Sequence, residues 1–138
     1  MSFSSSSPRS LRPKSVNGIE GENDDRVRGC SVKLIREPLV GPLAYHWLLS
    51  FDWGDYQAHA EATEVDGYLT PYWVKSAPDI IEGSITHDLG CIYRSPKEVW
   101  QKVKNNKFNY FKYMVSGMNC QRWAREVATQ LGPIHFDS

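Results

Sequence analysis

The sequence predicts a single α+β domain, an antiparallel β-sheet with helices packed on it. Three observations carry that prediction. AYHWLLSFDW (44–53) is rich in aromatic and apolar residues, and a Gly54-Asp55 turn joins it to the alternating segment YQAHAEATEV (56–65). This is the pattern of a β-hairpin. Ser95-Pro96-Lys97-Glu98 reads as a capping box with proline at the first helical position. Last, Asn119 precedes Cys120, Trp123, Ala124, Val127, Ala128 and Leu131, which recur at helical spacing before Gly132-Pro133.

In chain order, residues 1–28 are serine-rich, broken by Pro8 and Pro13, and run into the polar GIEGENDDR. Such composition buries too little apolar surface to offset its ordering entropy, so this stretch is expected to be a disordered tail. The folded domain is expected over 29–138. SVKLIRE (31–37) reads as a short strand, and PLVGPL as a turn before the hairpin. Asp66-Gly67 closes the second hairpin strand. YWVK, DIIEGSIT and GCIYR each have the texture of a short strand. VWQKVKNN continues the first helix, and the second begins at Asn119 as N-cap, with Cys120 in its first turn.

The 138 residues carry 16 basic and 16 acidic side chains, a formal net charge of zero that removes the simplest case for nucleic-acid binding. No apolar run approaches the roughly 18 residues of a membrane span. Three scattered cysteines, Cys30, Cys91 and Cys120, are too few for a disulfide framework or a zinc cage and fit a reducing, cytoplasmic compartment. No metal or cofactor is expected. Acids dominate from Glu37 to Asp88, whereas Lys97, Lys102, Lys104, Lys107, Lys112 and Arg122 dominate from Arg94 to Arg125. This basic stretch can be a solvated helix face, or it can attract an anionic substrate or an anionic membrane surface. KFNYFKY (107–113) interleaves bases and aromatics, but no nucleic-acid-binding module accompanies it.

Cys120 is the chemical centre of this reading. A helix N-terminus favours negative charge, and its unpaired N–H groups can hold an oxyanion. His46 and His59 lie on two strands joined by a tight turn, so both can face one sheet surface. One can act as base toward the thiol while the other orients it. Asp52 and Asp66 are alternative orienters. Tyr113 and the helix-start residues Asn119 and Gln121 are candidates for supporting an oxyanion. Cys30 and Cys91 read as structural, and Trp47, Trp100 and Trp123 as core. The competing reading makes Cys120 itself a packed small hydrophobe.

YHWLLSFDWGDYQAHAEA (45–62) resembles the histidine hairpin of lecithin:retinol acyltransferase-like proteins, H-W-x-x-Y-x-G-x-G-Y-x-x-H. YMVSGMNCQRWAREVATQLG (113–132) is similar to that family's tyrosine, six-residue interval and N-C-E-H-F helix, with Gln121-Arg122-Trp123 standing where the family has Glu-His-Phe. The resemblance implies a circularly permuted papain-like core of the NlpC type, its nucleophile helix near the C-terminus. It also implies Cys120 as nucleophile, His46 as base and His59 as polar orienter. The implied activity is acyl hydrolysis or transfer on a lipid, ester or peptide substrate through a thioester. The related PPPDE isopeptidases, acting on ubiquitin-like conjugates, pair an early histidine with a late cysteine in the same order. A binding module that keeps this fold without turnover is the alternative from another class.

Overall fold

A computed structural model describes residue 19, residues 21–39 and residues 45–132. Five strands, β1 (Arg28–Pro38), β2 (Tyr45–Asp52), β3 (Gln57–Val65), β4 (Tyr68–Val74) and β5 (Ile85–Arg94), form one antiparallel sheet in the order β4-β3-β2-β1-β5. Two helices follow, α1 (Pro96–Lys104) and α2 (Cys120–Leu131). The molecule is therefore α+β, as the patterning predicts. Among the described residues no helix is long and apolar enough to cross a membrane.

The hairpin β2–β3 forms where alternation predicts it, and the Trp53 amide donates to the Tyr56 carbonyl at 2.9 Å across the turn. β3 and β4 join through Asp66-Gly67, both at positive φ (52° and 87°). Glycine takes that backbone without strain, and aspartate is among the few residues that tolerate it. The segments read as YWVK, DIIEGSIT and GCIYR resolve differently from three short strands. The first lies in β4 and its exit, most of the second lies outside any strand, and the third ends the ten-residue β5. A bulge at Val32/Lys33 and Gly90 at φ 106° interrupt the β1–β5 ladder, irregularities that blunt short-range alternation.

Strand alternation gives the sheet two faces. Val32, Leu34, Trp47, Leu49, Phe51, Ala58, Ala60, Ala62, Leu69 and Trp73 pack on Val99, Val103, Trp123, Val127 and Leu131 to form the main core. Removing a ring such as Phe51 from that core costs about 3–5 kcal/mol. The opposite face is also buried where it carries Ile35, Leu48 and Tyr72, together with the polar Glu37, His46, His59 and Glu61. So polar a buried surface is costly unless each group is bonded, which marks it as the place to look for chemistry.

Both helix starts follow the sequence. The Ser95 hydroxyl accepts from the Glu98 amide (3.0 Å) while the Glu98 carboxylate accepts from the Ser95 amide (2.8 Å). Asn119 caps α2. The connection between the helices docks on the start of β4, with the Leu69 amide donating to Phe111 (2.8 Å) and the Tyr110 and Tyr113 amides donating to Leu69 (2.7 Å) and Gly67 (2.8 Å). That docking carries Tyr113 toward the start of α2.

The expected tail needs correction at its end. Residues 21–28 belong to the fold: Glu22 is 4% exposed and accepts hydrogen bonds from the Tyr56 hydroxyl and from Trp73 Nε1. The Lys97 amide donates to the Asp24 carbonyl (2.9 Å), and Arg28 bridges Asp24 and Asp55. Local polarity predicts disorder, but one buried carboxylate with two donors distant in sequence, in the β2–β3 turn and on β4, outweighs it. Residues 1–18 of the expected tail lie outside the described residues, as does His135.

Candidate active site

The site is assembled where the sheet opens. β2 pairs with β1 along its whole length, from Ser31↔Asp52 to Pro38↔Tyr45, but with β3 only from Leu48↔Glu61 to Asp52↔Gln57. His46 therefore has a strand partner on one side only, and the amino end of α2 lies against this opened end. Gln121 Nε2 reaches the Tyr45 carbonyl at 3.4 Å.

Cys120 and His46 meet here. His46 Nε2 lies 2.7 Å from Glu61 Oε1, and the Cys120 side chain lies close enough to the ring to raise its pKa. With Nε2 committed to the carboxylate, Nδ1 is the ring nitrogen left for the thiol. All three groups are buried, at 2% exposure for Cys120, 6% for His46 and 2% for Glu61. Burial is the largest influence on the His46 pKa and lowers it, yet charge on Cys120 and the bond to it, followed by Glu61, outweigh it and raise the pKa to about 10. The ring thus holds its proton between two groups that are stabler with that proton nearby.

The structure does not put His59 in the orienting position. His59 Nδ1 lies 2.7 Å from the Ser76 carbonyl. The two histidines share a face, but His59 stands opposite Ser50, four residues along β2 from His46. That is about 13 Å at about 3.3 Å per residue. Glu61, two residues beyond His59, is the side chain that reaches the ring. Counting outward from a two-residue turn at Gly54-Asp55 already opposes Ser50 to His59 and Leu48 to Glu61, so the register was the signal that could have found Glu61. The alternative orienters are engaged elsewhere. Asp52 Oδ1 accepts from the Gly54 amide (2.7 Å), and Asp66 forms the β3–β4 turn.

The supporting residues divide. Asn119 Oδ1 accepts from the Gln121 and Arg122 amides (3.0 and 3.1 Å) and its Nδ2 donates to Val115 (2.8 Å), so its side chain serves as cap. The Trp123 amide closes on the Asn119 carbonyl (3.1 Å). Of the first-turn amides this leaves that of Cys120 for an oxyanion. Gln121 fastens the helix start to β2. Tyr113 is half-buried; burial first, then charge on Cys120 and on Glu64, pushes its hydroxyl up to about 12, placing it within electrostatic reach of the sulfur.

The other thiols differ. Cys30 is buried on β1, where burial raises its pKa to about 12, and Cys91 is exposed on β5. Trp47 and Trp123 are core residues, Trp123 with its Nε1 donating to Asn109 Oδ1 (2.7 Å), whereas Trp100 is half-buried and packs against the core. The chain matches no protein-family model, no curated protein and no solved structure.

Proposed function

We propose that the protein is a cysteine-dependent acyl hydrolase or acyltransferase, with Cys120 as nucleophile, His46 as base and acid, and Glu61 as the group that orients His46. The observation that carries this reading is the His46 ring held by Glu61 at 2.7 Å and electrostatically coupled to the Cys120 side chain. A helix-start cysteine, a histidine and a carbonyl-polarising amide together suffice for acyl transfer. The order of histidine hairpin before cysteine helix supports a circularly permuted papain-like arrangement.

In the reaction, the proton shared by Cys120 and His46 stays on the His46 ring, and the sulfur attacks the carbonyl carbon of an ester or amide. The carbonyl oxygen gains the electron pair and accepts from the Cys120 amide. Collapse re-forms the carbonyl, breaks the bond to the alcohol or amine, and that leaving group departs with the proton from His46. Water or an acceptor amine then cleaves the thioester with His46 again as base. Glu61 stabilises the imidazolium and fixes the ring, without itself taking the proton.

Trapping tests this. Intact mass spectrometry after brief exposure to nitrophenyl esters, a peptide amide and an isopeptide-linked conjugate should show an acyl adduct on wild-type protein and none on Cys120→Ser. Which probe acylates fastest separates esterase, peptidase and isopeptidase chemistry. No adduct with any probe, and no Cys120 labelling by iodoacetamide, contradicts the reading. The 2% exposure of Cys120 favours the second reading, a binding module in which the triad serves packing.

A further inference from the structure

A second cluster of chemistry lies on the other side of β2 and has no part in the proposed acyl transfer. Arg36 on β1 stands opposite Trp47 on β2. Its guanidinium carbon lies 5.1 Å over the Tyr45 ring, and its Nε donates to His87 Nε2 at 3.0 Å. From α2, the Arg125 guanidinium lies 5.1 Å over the Trp47 ring. Two arginines are thus gathered on one pair of neighbouring aromatic side chains.

The way Arg36 is held decides what it can do. One guanidinium face is covered by Tyr45 and the Nε edge is taken by His87, which fixes the plane. The two Nη groups, the fork that matches a carboxylate or phosphate, are not used in either contact. Among the described residues, Arg26, Arg28 and Arg94 each pair with a carboxylate, whereas Arg36 meets none. Ring stacking and the His87 bond keep the fork ordered at little entropic cost, the condition for a preorganised site.

We propose that Arg36, held by Tyr45 and His87 and flanked by Arg125 on Trp47, is a binding site for an oxyanion, the carboxylate or phosphate of a small ligand. Arg125 is five residues from Cys120, about 7.5 Å along the helix at about 1.5 Å per residue. The site does not depend on the thiol chemistry and stands or falls by binding alone.

The test is a titration of the full chain with inorganic phosphate and, separately, with glutarate, followed by NMR shifts of the Trp47 indole and the Arg36 Nε–H. Saturable shifts at both groups with either probe are expected, and the probe that saturates names the oxyanion. Arg36→Gln should weaken that binding about tenfold or more, because it removes both the charge and the fork. Arg36→Lys, which retains the charge and guards against a folding defect in the glutamine variant, should bind less tightly than wild type but still measurably. Arg122→Gln removes one charge from the same helix at a guanidinium stacked on Phe108 instead, and should leave binding unchanged. Absence of saturable shifts with both probes, or equal weakening in Arg36→Gln and Arg122→Gln, would overturn the proposal.

Discussion

Cys30 and Cys120 are buried almost equally, at 1% and 2% exposure, yet their surroundings are opposite in kind. Cys30 sits near the start of β1 in the main core, where burial dominates and pushes its thiol up to about 12. Cys120 begins a helix, next to a histidine that Glu61 supports from behind. Exposure therefore does not distinguish the two thiols. The partner does: an ionisable ring within hydrogen-bond reach converts a packed sulfur into a group that can exchange a proton.

The sharpest way to break this comparison is to remove each sulfur in turn. Cys120→Ser should abolish acyl-adduct formation and turnover with little change in melting temperature, since its hydroxyl can still meet His46. Cys30→Ser should leave the chemistry intact but lower stability by roughly 1–3 kcal/mol, because it places a hydroxyl in apolar surroundings. Thermal melts beside an esterase assay read both arms; a reversal of the two outcomes would put the chemistry at the wrong cysteine.

Glu61→Gln comes next in size. The amide is close in shape but cannot stabilise the imidazolium, and loss of an equivalent carboxylate in a catalytic triad costs on the order of 10⁴ in kcat. The His46 pKa should fall with it, and the alkaline limb of the rate profile should move down from about 10. A pH–rate profile identical to wild type would reduce Glu61 to a packing role.

His59→Asn should have the smallest effect. Asparagine can still donate toward the Ser76 carbonyl, so turnover should stay near wild type and stability should fall by less than about 1 kcal/mol, the worth of one hydrogen bond. A loss of activity as large as that of Glu61→Gln would restore His59 to the orienting role.

These four substitutions follow the line between what was legible in the sequence and what was not. The β2–β3 hairpin, the Ser95 and Asn119 caps and the apolar stripe of α2 depend on neighbours a few residues apart, and local pattern reports them faithfully. Glu61 depends on register across two strands and on where the ladder stops. In QAHAEATEV it reads as one more acid in an acidic stretch, whereas a second histidine draws the eye. Glu22 is a similar case, since its partners Tyr56 and Trp73 are 34 and 51 residues away. A polar segment that docks through one buried carboxylate leaves no periodic trace.

The most direct measurement is a pH titration of the His46 ring by NMR in wild-type protein and in Cys120→Ser. A pKa raised above the usual 6.5 means that the folded state holds the proton more tightly than the unfolded chain. The linked stability is then fully present below about pH 6.5 and is lost as pH rises through about 10. Wild-type His46 should stay protonated well above pH 7 and release its proton near 10. In Cys120→Ser, which removes the neighbouring sulfur, the midpoint should fall toward the ordinary histidine range. A wild-type midpoint near 6.5, or one that Cys120→Ser does not move, would contradict the pairing of Cys120 with His46.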